Sequence, residues 1–244
     1  GRMDRFFVSA EDWNEDRALL GREESHHCLR VMRKRTADKV EIFDGAGRWG
    51  RGVIADESDG LVAVMVGEEG RDRRASPGIG LAVAIPKGKM MELVVQKAVE
   101  LGVDQIQPLV TEHTVVRLED ESGAGKREKW QRVALEACKQ CGRNFVPEVR
   151  AVASLEKVLG ERGGRAGLLA SLRDDAVSLK KVLGGLPAEL EGVDLLIGPE
   201  GDFSAAETES AVAGGFQLVS FGPLVLRVET AVMYGLSALG YELR

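Results

Sequence analysis

Apolar positions along the chain follow two rhythms. Residues 5–8, 39–43, 49–54 and 61–66 form short β-like runs, and Asp44-Gly45 and Asp59-Gly60 punctuate them as turns. That pattern predicts a small β-barrel. Residues 71–80, RDRRASPGIG, are charged and then rich in Ser, Pro and Gly, which places a boundary between a domain of residues 1–73 and a second of residues 74–244. Beyond it, continuous apolar runs alternate with helical spacing. Residues 81–85, 106–110 and 167–170 read as strands. Residues 89–101 carry Met90, Leu93, Val94, Lys97, Ala98 and Leu101 on a helical period closed by Gly102. A polar, glycine-containing loop is expected at 119–125, a long helix at 126–141 closed by Gly142, and a short helix at 176–183. Strands alternating with helices predict an α/β domain with a mainly parallel sheet covered on both faces.

The last two strands end alike. Residues 195–197 and 218–221 are apolar runs that stop at Gly198-Pro199 and Gly222-Pro223. Ser204 stands three residues before Glu207 with Phe203 ahead of it, a capping box and staple that start a helix at Ala205. The loop 198–202 is therefore a tight strand-to-helix turn in which Gly198 and Gly201 let main-chain amides approach a ligand. It makes a poor phosphate cradle, because Pro199 lacks an N–H and Glu200 repels anions. After Gly222 an exposed-looking apolar run, 224–226, leads to Arg227, Glu229 and Thr230 at the entrance of an apolar helix, 231–239. Ordinary α/β punctuation accounts for both loops; so does a ligand crevice at the carboxyl ends of adjacent strands.

Composition narrows the function. A chain of 244 residues, 44% hydrophobic, buries a sizeable core. No apolar run approaches the roughly 20 residues of a membrane span and no signal peptide opens the chain, so a soluble cytoplasmic protein is expected. The net charge of −6 argues against indiscriminate nucleic-acid binding, although Arg30, Arg33, Lys34 and Arg35 form a local basic cluster. Cys28, Cys138 and Cys141 are an odd set; Cys138 and Cys141 lie within a helical pattern and lack a second pair, so neither a disulfide framework nor a metal site is expected. With only His26, His27 and His113, a nucleophile–base system is poorly supplied. No G-x-G-x-x-G turn exists for a nicotinamide cofactor.

The words IGPEG, FSAAE and FGPLVLRVETA resemble the C-terminal signature of the RsmE family, the SPOUT-class methyltransferases of ribosomal RNA uridine N3. The chain departs from it at Asp202, where a second glycine is common, at Phe221, where leucine is common, and at Leu224, where a basic residue is frequent. His26, His27, Leu29, Arg30 and Arg33 resemble a segment of the family's PUA-like RNA-binding barrel, with Ala37-Asp38 in place of its Gly-Asp turn. Lys87, Lys97, Glu100, Leu101 and Gly102, and then Glu136, Ala137, Gln140 and Arg143, are similar to two further segments. The resemblance implies a C-terminal α/β domain whose parallel sheet carries a trefoil knot, a homodimer, and S-adenosylmethionine as cofactor, with a uridine of small-subunit (16S) ribosomal RNA as target. It places the cofactor against Ser171, Gly198, Pro199, Glu200, Gly201, Phe221, Gly222, Leu226, Thr230 and Ala231, and RNA against Arg30, Arg33, Lys87 and Arg143. Methylation at N3 requires loss of the N3 proton, which assigns Arg227 to the developing anion and Glu229 to the proton or to the orientation of Arg227. Two other readings remain open: a SPOUT enzyme acting on ribose 2′-OH or guanine, and a non-catalytic RNA-binding ribosome assembly factor.

Overall fold

The computed structural model describes residues 3–115, 123–161 and 163–244. Its chain forms two compact units, Gly1–Arg74 with Cys138–Val146, and Ala75–Ala137 with Pro147–Arg244.

The first unit contains β1 (Arg5–Phe7), β2 (Trp13–Asn14), β3 (Arg17–Leu19), α1 (Arg22–His26), β4 (Lys39–Phe43), β5 (Arg48–Ser58) and β6 (Leu61–Arg71). The strands form one sheet in the order β1-β4-β5-β6-β3-β2 around a core that includes Phe6, Trp13, Leu20, Ile42 and Val64. Between β5 and β6 the chain reverses in two residues. Asp59 and Gly60 both take positive φ, 53° and 76°, the conformation that a two-residue hairpin of this hand requires. β5 and β6 run past the apolar stretches that predicted them, because main-chain pairing continues where one face turns polar, with register shifts at Arg51/Gly52 and Ile54/Asp56. β2 and β3 are too short for periodicity to reveal.

Cys138–Val146, which the sequence boundary assigns to the second domain, folds with this unit. Arg5, only 6% exposed, explains how. Its guanidinium donates to Glu41 Oε1 at 2.7 Å, to the carbonyls of Cys138 at 2.7 Å and Arg143 at 3.2 Å, and to Asn144 Oδ1. Asn144 Nδ2 in turn donates to Asp72 Oδ2 at 2.8 Å. A buried guanidinium needs several acceptors, and this segment supplies them.

The second unit adds β7 (Gly78–Ala84), α2 (Met90–Glu100), β8 (Gln105–Val110), α3 (Gly123–Cys141, its last turn counted with the first unit), β9 (Glu148–Val149), β10 (Ala153–Ser154), α4 (Leu155–Gly160), β11 (Ala166–Ala170), β12 (Val177–Ser178), α5 (Leu179–Gly184), β13 (Gly192–Ile197), α6 (Ala205–Ala213), β14 (Phe216–Ser220) and α7 (Val228–Leu243). Of the loop expected at 119–125, residues 119–122 lie outside the described residues, and Gly123 already opens α3. Every pairing is parallel, in the order β10-β8-β7-β13-β11-β14-β12 with β9 beside β8. Leu196 and Leu169 face a cluster with Leu155 of α4 and Ala211 of α6. Leu195, the next side chain along, points to α7. Among the described residues no helix is long and apolar enough to cross a membrane.

Two expectations need correction. The strands ending at Gly198 and Gly222 are not neighbours, since β11 lies between β13 and β14 and pairs with both. The segment 176–183 is not all helix: Val177 and Ser178 first pair with Val219 and Ser220, and the Ser178 hydroxyl then caps α5.

Candidate functional site

Because β11 separates β13 from β14, three loops meet at the carboxyl ends of these strands. They enclose a cavity of about 280 Å³. Ala170, Ser171 and Leu172 come from the first loop and Ile197–Glu200 with Asp202 from the second. The third contributes Phe221, Gly222, residues 224–228 and, within α7, Ala231. Walls of this kind are main chain and hydrocarbon, with few charges.

Packing behind the walls explains the glycines. A Cβ on Gly198 would come within 3.0 Å of the Phe203 ring, and one on Gly201 within 3.1 Å of His113 Cβ. Gly222 adopts φ 105°, which side-chain-bearing residues rarely reach, and its amide donates to Ser220 Oγ at 3.2 Å. On the far wall, a Cβ on Gly235 would lie 2.5 Å from Leu195 Cδ2 and 2.9 Å from Phe221 Cζ. Helix α7 therefore approaches the sheet closely, and Phe221 is held against it with its ring 5.0 Å from that of Tyr234.

The loop after β13 is tied down by its neighbours. Glu200 Oε1 accepts from the Lys87 amide at 3.0 Å, just beyond β7. Glu207 completes the predicted capping box with Ser204 and also accepts from the Glu112 amide at 2.8 Å, just beyond β8. His113 Nδ1 lies 3.0 Å from the Gly201 carbonyl and 2.9 Å from that of Asp202. The His113 pKa is raised above its ordinary value, by the Asp202 carbonyl most; burial opposes this, and the Gly201 carbonyl and the charges of Glu112 and Glu207 add to it in turn.

Of the residues the sequence assigned to the cofactor, Ser171, Gly198, Pro199, Glu200, Phe221, Gly222, Leu226 and Ala231 line the cavity, and Arg227 lines it with them. Gly201, Thr230 and Glu229 do not. Arg227 is the exposed N-cap of α7, and Glu229 is half-buried in its first turn. Among the described residues the two side chains form no ion pair with each other or with any other group. The cavity is also lined by Ala170, Leu172, Ile197, Asp202, Leu224 and Val225, which the sequence did not assign to the cofactor. Leu172 follows β11, whose central place no local pattern reveals, whereas Asp202 was visible in the sequence as a carboxylate where glycine is common.

Arg30 and Arg33 are exposed on the first unit, where Arg33 takes φ 55°. Arg143 is half-buried in the segment that Arg5 holds, and Lys87 is exposed on the second unit after β7. Burial pushes the Cys28 thiol up to about 11 and that of Cys138 up to about 12, which keeps both protonated and unreactive near neutrality. No group of three or more potential metal ligands occurs among the described residues.

A mostly uncharged cavity at the strand ends of a parallel sheet suits a nucleoside cofactor held by main-chain atoms. Family comparison defines the same class: residues 74–240 match the RNA methyltransferase domain and residues 20–64 the RNA methyltransferase PUA domain. Ribosomal RNA small subunit methyltransferase E of Bacillus subtilis is 31% identical over 251 residues, covering 98% of this chain and 97% of its own. Its counterpart from Synechocystis is 32% identical over 96% of this chain and 76% of its own. Among solved structures, a methyltransferase of Legionella pneumophila in complex with its cofactor SAM superposes with a TM-score of 0.89 at 33% identity, over 99% and 98% of the two chains. Ribosomal RNA small subunit methyltransferase E of Neisseria gonorrhoeae, bound to S-adenosyl methionine, gives 0.86 at 28% identity over 98% of each. The chain belongs to the ribosomal RNA small subunit methyltransferase E family, the family its C-terminal signature resembles.

Proposed function

We propose that the protein transfers a methyl group from S-adenosylmethionine to N3 of a uridine in small-subunit (16S) ribosomal RNA. The observation that carries this reading is the three-loop cavity of main-chain and apolar walls, in a chain whose relatives were solved with that cofactor bound. When bound, the cofactor supplies a methyl group already activated on a sulfonium sulfur. The chain's own residues must then place the uracil in line and deal with its N3 proton. Loss of that proton spreads negative charge over O2, N3 and O4, which a facing guanidinium stabilises as it develops. Arg227, on the cavity wall with no ion-pair partner among the described residues, suits that role. Glu229 takes the proton or orients Arg227 once the substrate is in place.

The cofactor rests on the main chain of 198–201, 221–222 and 226–231 and on Ser171, while Arg30, Arg33, Lys87 and Arg143 contact the RNA around an unstacked uridine. Residues 1–73, together with Cys138–Val146, form the RNA-binding domain and the remainder of 74–244 the catalytic one. The chain leaves β14 beyond β11 and yet packs α7 onto β13 on the near side, so it crosses the end of β11. This supports threading of the tail through the loop after β11 as a trefoil knot, a rare exception among folds. A homodimer buries the apolar surface around Leu224, Val225 and α7, and the cytoplasm is the compartment where ribosomal RNA is met.

The test is calorimetry with S-adenosylmethionine followed by mass mapping of methylated 16S RNA. Arg227→Ala is expected to bind the cofactor normally and to transfer methyl at least about a hundredfold more slowly. An unchanged rate removes Arg227 from the mechanism. A product on ribose or guanine, or cofactor binding without turnover, replaces the reading with another SPOUT activity or with an assembly factor.

A further inference from the structure

The cavity carries three charged groups among its main-chain and apolar walls: Glu200, Asp202 and Arg227. The Glu200 carboxylate is engaged by the Lys87 amide at 3.0 Å. Asp202 likewise uses one oxygen, Oδ1, but within its own turn, accepting from the amide of the adjacent Phe203 at 2.8 Å. Among the described residues its Oδ2 has no hydrogen bond or ion pair. The backbone that carries this carboxylate is held on both sides. Its amide donates to the Pro199 carbonyl at 2.9 Å, and its carbonyl lies 2.9 Å from His113 Nδ1. Asp202 sits at φ 62°, a left-handed conformation that aspartate tolerates better than most residues and glycine best. A carboxylate thus lines the cavity from a left-handed position on a backbone held from both sides.

The methyl donor carries two positive charges, on sulfonium and α-ammonium, against one carboxylate; the demethylated product has lost the sulfonium charge and is neutral overall. Resting on the reading of the cavity as the S-adenosylmethionine site, we propose that Asp202 is a specificity-determining residue. It recognises the positive charge of the donor and so favours donor over product, with His113 as the positioning residue that holds it in place. Asp202 is exposed, so solvent screens the attraction, and the preference it adds is about two- to fivefold. Such a preference eases product release and shrinks as salt rises.

Calorimetry on the full chain with S-adenosylmethionine and with S-adenosylhomocysteine tests the proposal at low and high salt. Asp202→Asn and Asp202→Gly are both expected to bind the donor two- to fivefold more weakly and the product as before; the wild-type preference should decline in high salt. Asp202→Gly is unstrained at φ 62°, so an unchanged melting temperature separates lost charge from lost fold. His113→Ala should lose the same preference, and His113→Asn, which keeps an N–H near the Nδ1 position, should restore it. Equal weakening toward both ligands, or an unchanged ratio, overturns the role of Asp202. If the wild-type protein binds neither ligand, the cavity is not a cofactor site and the proposal falls with that reading.

Discussion

His113 stands in no motif, and from the sequence it reads as a loop histidine. Its ring nevertheless bridges the carbonyls of Gly201 and Asp202, and the Asp202 carbonyl above all raises its pKa. A histidine whose folded-state pKa is raised stabilises the fold fully below its ordinary value of about 6.5 and loses that contribution as pH climbs through the raised value. NMR titration of the His113 ring should therefore give a midpoint above that of an unstructured peptide, and Glu207→Gln should lower it, since Glu207 is among the charges that raise it. A midpoint at or below the peptide value would contradict the geometry. At this scale the sequence reveals chemistry wherever the backbone demands a residue type. Gly222 is legible because φ 105° excludes side chains, and Arg227 because a lone guanidinium stands at a helix entrance. His113 was invisible because its partners lie 88 and 89 residues away.

Elements governed by local rules match their sequence signals. Helix α6 begins at Ala205 with both capping-box bonds formed, since Ser204 and Glu207 are three residues apart and need nothing distant. Helix α7 is longer than its apolar stretch, Val228–Leu243 against 231–239, because its polar first turn is carried by the packing of Val228 and Ala231. Its close approach to β13 supports a prediction. Gly235→Ala gains about 1 kcal/mol of helix propensity but overpacks against Leu195, which is fully buried, at about 1–3 kcal/mol. Net destabilisation of about 1 kcal/mol is expected by thermal unfolding. Displacement of Phe221, which also walls the cavity, should weaken S-adenosylmethionine binding in the same variant. A variant as stable and as tight-binding as wild type would show that α7 has room to spare.

On the scale of the whole molecule, Arg5 gathers the first strand, β4 and Cys138–Val146 into one unit, joining residues up to 139 positions apart. Arg5→Ala should destabilise this unit by about 3 kcal/mol in urea unfolding, because it strands buried acceptors rather than merely losing a contact. Hydrogen exchange should rise first at Cys138–Val146; unchanged protection there would mean that the segment is held otherwise. The amino-acid sequence by itself determined the two rhythms, the α/β class, the α6 cap and the glycine-marked strand ends, because each depends on residues within a turn or a pleat of one another. Only the tertiary structure decided that β11 lies between β13 and β14, that Leu172 and Asp202 face the cavity while Glu229 does not, and that a stretch near residue 140 folds with the first strand. Strand order and the acceptors of a buried charge are chosen by contacts between distant segments, whose free energy exists only once the chain has closed on itself.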